Sequence, residues 1–323
     1  MAHTVREQIL MALRKRTWYS GQELAETLNI SRTAIWKHMQ TLKDEGYHII
    51  SNKKQGYQLV DEGDLLTPIA IEQWLTTSRF GRRILHFDEL DTTQRIAHEQ
   101  AQQQAPEGTL VVCDHQTNGR GQLGRTWHEA KNEGIAMSLL VRPDVPMHQA
   151  GQLTLVAGIA LAKTLRSLDT PVTIKWPNDI LIHGRKVAGI LTEMQTEADR
   201  ISSVIIGIGI NVHHQQFSEG IENRATSLVK ETGQSFRRAE VVGRFLNQFE
   251  LLYAQWLELG FGSFVADWED LADRLHETVT LRTRQTTASG TLLGIDETGT
   301  IRIKTDAGET RFHSAELVYW EKE

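Results

Sequence analysis

The sequence predicts an α+β chain of several domains: a small helical module with a hairpin, a larger α/β body and a short all-β unit. Three observations carry this. The first sixty residues are basic and fall into helical periods. The middle alternates short buried-strand runs with long apolar-faced helices. From about Thr278 the hydrophobic period changes to two. The expected boundaries are residues 1–63, 64–275 and 276–323. A chain of 323 residues, 40% hydrophobic and 24% charged, has the length for two or three such units. Its net charge of −6 is unevenly spread: residues 1–60 hold nine cations and five anions, a net +4, leaving −10 on the rest. A basic module on an acidic body points to a polyanion partner for the first segment only. The single cysteine, Cys113, excludes an internal disulfide framework. No apolar run approaches a membrane span and no signal-peptide core is visible, so a cytoplasmic protein with no membrane partner is expected.

In the first module, Thr4 with Glu7 and Ser20 with Glu23 are spaced as capping boxes, each ahead of an apolar stripe. Ser31 is placed to cap a third helix with Ile35, Met39 and Leu42 on its buried face. Arg32, Thr33, Lys37 and His38 lie opposite that stripe. Two short strand-like runs then flank Asn52-Lys53-Lys54-Gln55. Three helices and a basic-tipped hairpin resemble a winged helix-turn-helix DNA-binding domain. The resemblance implies that the helix begun by Ser31 reads base edges, with Lys53 and Lys54 on phosphates. A helical module for protein contacts, its charges merely solvated, is the alternative.

After an Asp61–Asp64 linker, a helix is expected from Thr67-Pro68 and a strand over Ile84 to Leu90. Asp91-Thr92-Thr93-Gln94 opens a helical stretch, where hydroxyls and an amide either cap the helix or bind a polar ligand group. Thr109–Cys113 and Gly134–Val141 read as buried strands. Ala150 to Leu168 reads as an apolar-faced helix. Pro171–Ile182 and Lys186–Glu193 read as a hairpin turning at His183-Gly184. In Ile201–Val212, Gly207 and Gly209 leave room for a ligand or a crossing backbone. Residues 236–275 read as helical. Turn signals at Asp296–Gly299 and Asp306–Gly308 divide the last segment into the four or five strands of a small barrel.

The distinctive stretch is Gln116 to Trp127, in which three glycines and two arginines fall within Gly119–Arg125. It lies between two strands. Backbone N–H groups there approach a ligand closely, and the guanidiniums offer planar donors, so it reads as an anion-binding loop. Gly119, Gly121 and Gly124 also satisfy a dinucleotide fingerprint, but that needs a helix after the last glycine, and Arg125-Thr126-Trp127 starts none. A plain surface connector is the remaining alternative. No phosphate-loop motif, zinc motif or Ser-His-Asp signature appears, and His213-His214 lacks partners at ligand spacing, so no metal site is expected in the chain.

Taken in order, Leu90–Gln94, Gly119–Trp127, Lys175–Asp179 (Lys-Trp-Pro-Asn-Asp), Lys186–Leu191 (Lys-Val-Ala-Gly-Ile-Leu) and Gly207–Val212 resemble the biotin protein ligases. With the winged helix ahead and the β unit behind, the whole chain resembles the bacterial members that double as repressors of the biotin operon. The resemblance implies a central mixed sheet of the class II synthetase kind and an SH3-like C-terminal barrel. It implies ATP with Mg²⁺, biotin as substrate and co-repressor precursor, and biotinyl-5′-AMP as intermediate. The implied partners are the biotin carboxyl carrier protein of acetyl-CoA carboxylase, operator DNA, and a second copy of the chain once the adenylate is bound. By position, Thr92, Thr93, Gln94, Gln116, Arg120, Gly121, Gln122 and Lys186 would hold biotin. Arg125, Trp127, Lys175, Asn178 and Asn211 would hold phosphate and adenine, and Lys186, Arg120 and Lys175 would be catalytic. A ligand-sensing repressor without turnover and a lipoate-type ligase remain as alternatives.

One departure stands out. The family's loop is often Gly-Arg-Gly-Arg-Arg-Gly-Arg, whereas Gln122 and Leu123 occupy two of its arginine positions here. Two charges are missing where the adenylate phosphate is expected. The expected outcome is a faster loss of intermediate than an arginine-filled loop allows. Gln122→Arg should slow adenylate dissociation in a single-turnover release assay, and an unchanged off-rate counts against the idea.

Overall fold

The computed structural model describes residues 4–127, 130–283 and 285–318. They form two compact units, residues 1–70 and 71–323.

The first unit holds α1 (Val5–Lys15), α2 (Gly21–Leu28), α3 (Arg32–Asp44) and an antiparallel hairpin of β1 (His48–Asn52) and β2 (Gly56–Asp61). Both capping boxes form, on Thr4–Glu7 and Ser20–Glu23, and the Ser31 hydroxyl accepts from Ala34 N at 3.1 Å. These short side chains satisfy helix-start N–H groups that the helix itself leaves open. Ile9, Leu10 and Leu13 meet Leu24, Ile35, Met39 and Leu42, and Tyr47 and Ile49 close the core from the hairpin side. The hairpin tip is shaped by Asn52, whose Oδ1 accepts from Lys54 N and Gln55 N.

In the second unit, which α4 (Pro68–Glu72) leads into, seven strands form one mixed sheet. They are β3 (Arg83–Phe87), β4 (Thr109–Cys113), β7 (Gly134–Val141), β8 (Val172–Lys175), β9 (Asp179–Ile182), β10 (Arg185–Glu197) and β11 (Arg200–Asn211), in the order β3-β4-β7-β11-β10-β9-β8. Only β3 and β4 run parallel, joined by the crossover helix α5 (Thr93–Gln102). Between β4 and β7 the glycine loop folds as a small ribbon of β5 (Gly119–Arg120) and β6 (Thr126–Trp127). Helix α5 packs on one face through Ile96, Ala97 and Ala101 against Val111, Leu140 and Ile205. Helices α6 (Gln152–Arg166) and α8 (Arg238–Leu259) pack against each other; α6 lies against β8 and β10, and α8 against β7. Helices α7 (Leu228–Thr232) and α9 (Val265–Leu271) are short. The chain then forms an antiparallel sheet, β15-β14-β13-β12-β16, from β12 (Thr278–Arg282), β13 (Thr287–Ile295), β14 (Ile301–Thr305), β15 (Gly308–Phe312) and β16 (Glu316–Val318).

Two local readings change. Pro171–Ile182 is not one strand: it breaks at Trp176-Pro177-Asn178, where the Trp176–Pro177 peptide is cis, and β8 and β9 pair as their own hairpin. Proline supplies no N–H for a ladder, so a run containing it turns. The helical stretch 236–275 is interrupted at Gly260, whose φ of 73° ends α8 before a 3₁₀ turn and α9. The β9–β10 turn falls where the sequence places it, with positive φ at both His183 and Gly184. No helix among the described residues is long and apolar enough to cross a membrane.

The loop at Ser78–Phe80 shows how the second unit is fastened. The Glu250 carboxylate on α8 accepts from the backbone N–H groups of Ser78 (2.6 Å), Arg79 (3.0 Å) and Phe80 (2.8 Å) and from the Ser78 hydroxyl. Burial pushes this carboxyl up, but those bonds outweigh it and hold it below its ordinary value of 4.5. A depressed pKa contributes stability above the unfolded value that is lost as pH falls through the folded one. Glu250→Gln should therefore cost about 1–3 kcal/mol in urea unfolding at neutral pH, the difference from wild type shrinking as the medium is acidified below that range.

Candidate active site

The face of the central sheet that α5 covers is lined with small residues at the helix's N-terminal end. Asp179 pairs with Gly189, Gly189 with Gly209, and Gly209 with Ala136, so all four project to one side. The neighbouring row, Leu191, Gly207 and Ser138, projects to the same side. Two polar groups lie in the trough that results. The Gln94 amide packs on Gly207, and the Trp127 indole packs on Gly209, where a Cβ would collide with the ring. Gly209 is thus set by close approach rather than by backbone freedom, while at Gly207 a Cβ would press on the Gln94 amide.

A cleft enclosing about 440 Å³, part of it open solvent, lies over this trough. At one end stands the N-terminus of α5, with Thr92, Thr93, Gln94 and Gln116 all buried. The Thr92 hydroxyl caps the helix by accepting from Gln94 N at 3.4 Å, so the capping residue also lines the cavity. Gln116 Oε1 accepts from Thr93 N at 2.8 Å, and Ser138 Oγ bridges Thr93 Oγ1 (2.8 Å) and Gln94 Oε1 (3.0 Å). The sheet end of the cavity carries Lys186, with Arg120 and Gly121 of the ribbon, Trp127 and Asn178 also in its wall. Arg120 is exposed. Lys186 Nζ lies 2.6 Å from Asp179 Oδ1 and 5.6 Å from the centroid of the Trp127 ring.

Beyond Lys186 and Asn178 a second, wider hollow of about 1560 Å³ is walled by Gln122, Arg125, Lys175, Asp179, Arg282, His313 and Glu316, among others. Lys175 is buried, its Nζ 3.9 Å from Asp179 Oδ2. Burial drives its pKa down, Asp179 opposes this, and Lys186 adds to it. Arg125 is paired with Glu316 at 2.7 Å.

Of the residues expected to act together, Thr92, Thr93, Gln94, Gln116, Arg120, Gly121, Trp127, Asn178 and Lys186 meet in the first cavity. Gln122, expected beside them, faces the second hollow with Arg125 and Lys175, and the Leu123 side chain lies outside the described residues. Asn211 lines neither; its Nδ2 donates to Thr226 O at 3.0 Å. Sequence reasoning missed Ser138 and the bridging role of Asp179. Asp179 stood inside a motif already singled out, whereas nothing marks Ser138 in a strand of apolar residues.

In the first unit, Arg32 and Thr33 share a concavity of about 1610 Å³ with Lys53 and Lys54. Ser31, Lys37 and His38 do not line it, but Trp36, 54% exposed on α3, does. The charge pattern that singled out α3 could not single out an indole.

Three family models match the chain: the HTH domain over residues 5–58, the biotin/lipoate A/B protein ligase family over 87–211, and the biotin protein ligase C-terminal domain over 275–318. The chain is 40% identical to a bifunctional ligase/repressor BirA of Bacillus subtilis, covering 98% of this chain and 99% of that one. It is 28% identical to the protein of that name in Escherichia coli K12, over 97% and 99% of the two chains. Among solved structures, a biotin protein ligase from Aquifex aeolicus in complex with biotin and ATP superposes with a TM-score of 0.64 at 31% identity. That match covers 73% of this chain and 98% of that one.

Proposed function

The chain belongs to the family of bifunctional biotin protein ligases and repressors, and from that membership we propose how its residues divide the work. It is an ATP-dependent ligase that attaches biotin to a protein and a DNA-binding repressor. In the first step a biotin carboxylate oxygen attacks the α-phosphorus of ATP and pyrophosphate leaves. In the second, a lysine amine of the carboxyl carrier protein attacks the acyl carbon, loses a proton and releases AMP.

Both reactants of the first step are anions, so repulsion is the barrier that fixed cations lower, at a few kcal/mol for each well-aimed donor. The observation that carries the reading is the pairing, across one glycine-floored trough, of a buried amide–hydroxyl cluster with a lysine held beside an indole. Thr92, Thr93, Gln94 and Gln116 suit biotin's ureido end. Lys186, Arg120 and the Gly121 backbone suit the reacting carboxylate and phosphate. Trp127 and Asn178 suit the adenine side, and Lys175 and Gln122 the phosphate chain. Arg125 joins them once phosphate displaces Glu316, and Asn211 serves by fixing the loop at Thr226. Mg²⁺ would shield the charge of the phosphates, and it fits best as part of the incoming nucleotide. The carboxylates of the second hollow, Asp179 and Glu316, are already paired with cations, and the close group His86, Asp88 and Asp114 lines neither cavity. The urea-complementary amides favour biotin over a lipoate-type acid. For the repressor, Arg32, Thr33 and Trp36 suit base edges, Lys53 and Lys54 suit phosphates, and Ser31, Lys37 and His38 flank them.

The adenylate should also control assembly. A ligand that bridges the ribbon and the sheet favours one conformation of the loop, and a two-fold dimer then presents two winged helices to a palindromic operator. The reaction is checked by pyrophosphate exchange into ATP, expected only with biotin present and reduced at least about a hundredfold in Lys186→Ala. Exchange without biotin, or an undiminished variant, refutes the assignment. Assembly is checked by sedimentation with and without biotin plus ATP: self-association should tighten with both, and an unchanged constant refutes the coupling.

A further inference from the structure

The first cavity has a supporting group that the reaction as derived above does not use. Gln94 Nε2 lies 3.3 Å from Leu191 O and 3.2 Å from Glu193 Oε2. The same Glu193 oxygen is 2.9 Å from His98 Nε2, one turn further along α5. We propose that Glu193, braced by His98, is a positioning residue that locks Gln94 as a hydrogen-bond acceptor and so makes the site select a ring bearing an N–H.

Hydrogen-bond polarity makes the argument. An amide nitrogen has two hydrogens and no lone pair to offer, while its oxygen has two acceptor sites. The two neighbours of Gln94 Nε2 are a carbonyl and a carboxylate, both pure acceptors. Turning the amide over would set its oxygen against both, so its orientation is forced. Ser138 Oγ donates to Gln94 Oε1 at 3.0 Å and lies 2.8 Å from Thr93 Oγ1. Both Nε2 hydrogens and one Oε1 lone pair are thereby engaged, and what remains for a ligand is the other Oε1 lone pair. Gln116 is set the opposite way. Its Oε1 accepts from both Thr93 N at 2.8 Å and Thr93 Oγ1 at 3.2 Å, so its amide nitrogen is the group left to donate. An acceptor and a donor fixed on one cavity wall match an N–H beside a C=O, as in a cyclic urea.

His98 fits the same purpose. Its Nε2 must carry the proton to donate to a carboxylate, while its Nδ1 is buried without a partner. A buried ring nitrogen left unsatisfied is a cost, and the bond to Glu193 is the ring's compensating polar contact. Glu193 itself sits on β10 two residues beyond Leu191, whose carbonyl is the other acceptor. Backbone and side chain of one strand thus hold a glutamine from the helix that crosses it.

The inference rests on the biotin reading above and is tested in the same exchange assay on the full chain. Glu193→Ala frees one Nε2 hydrogen and lets the amide turn. It should raise the KM for biotin about tenfold, with kcat within about threefold of wild type. Glu193→Gln, which still offers an oxygen, should restore KM to within about threefold of wild type. The specificity arm uses biotin carbamates in which one or the other ring N–H is replaced by oxygen. Wild type should reject at least one of them strongly, since an oxygen would face the Gln94 lone pair, and Glu193→Ala should lose most of that discrimination. An unchanged KM in Glu193→Ala, equal damage in Glu193→Gln, or undiminished discrimination overturns the proposal. Absence of biotin-dependent exchange in wild type fails the biotin reading itself, and this inference with it; failure confined to the variants fails this inference alone.

Discussion

The site depends on one carboxylate between two ammonium groups. Asp179 touches Lys186 with one oxygen and faces Lys175 with the other. Burial, with Lys186 nearby, holds the pKa of Lys175 below the ordinary lysine value, and Asp179 is the group that opposes this. One carboxylate thus stands between two lysines, and with Arg120 at the mouth cationic side chains outnumber it. That excess positive charge is what two anionic reactants require. The backbone arranges it in two ways. The turn at Trp176-Pro177-Asn178 places Lys175 and Asp179 opposite each other across β8 and β9. A register shift in β10 between Lys186 and Ala188 puts an extra residue there. A bulge of this kind re-aims a side chain that strict alternation would send elsewhere.

The second constraint is space. A sheet packed by helices on both faces has no room for a ligand unless some rows of side chains are missing. Here the missing rows are Gly189, Gly209 and Ala136, then Gly207 and Ser138, all on the side α5 covers. Leu140, Ile205 and Val111 further along that side are full-sized and form the helix's packing surface. The boundary between large and small residues therefore decides where α5 stops being a core helix and becomes a cavity wall. Its N-terminus falls at that boundary, which is where polar groups on a helix start have backbone N–H groups beside them.

Much of this was legible in the sequence, and the reason differs from part to part. The first module was read nearly residue by residue, because caps and 3.6-residue periods are local signals: Thr4–Glu7, Ser20–Glu23 and Ser31 behave as their spacing dictates. The glycine loop was singled out because glycine and arginine in one loop have few other uses, and its Arg120, Gly121 and Trp127 line the first cavity. The break at Pro177 was misread because the apolar run on either side looked continuous. Ser138, Glu193 and His98 were invisible for a different reason. Glu193 meets Gln94 across 99 positions, and Ser138 meets it across 44. Which strands neighbour each other, and in what register, is settled by the whole sheet rather than by any window of sequence. The gap between Gln122 and the first cavity has the same origin: the 3₁₀ turn at Gln122–Gly124 swings that side chain toward the C-terminal sheet, and spacing alone does not reveal it.

The ribbon that carries Arg120 and Trp127 is the least reinforced part of the site. Among the described residues two pairs hold it, Gly119 with Trp127 and Arg120 with Thr126, with further bonds from Gly121 N to Arg125 O and from Arg125 N to Gln122 O. Its outer end is tied through Arg125 to Glu316, an exposed pair whose net contribution is small in water. Its inner end is tied by Trp127 lying on Gly209 near Lys186. An element with so few bonds of its own has a low cost of opening, and most of its order must come from what it covers. A ligand that bonds Arg120, stacks under Trp127 and contacts Lys186 supplies those missing interactions at once. It therefore favours the closed ribbon by the full difference in contacts between the two states, which is the only quantity that can shift such an equilibrium. On the proposed assignment the acyl–phosphate anhydride would span both ends of the cavity, whereas biotin or nucleotide alone would engage one. The intermediate, rather than either reactant, would then have the largest hold on the loop, and a surface ordered by that loop would report completion of the first step.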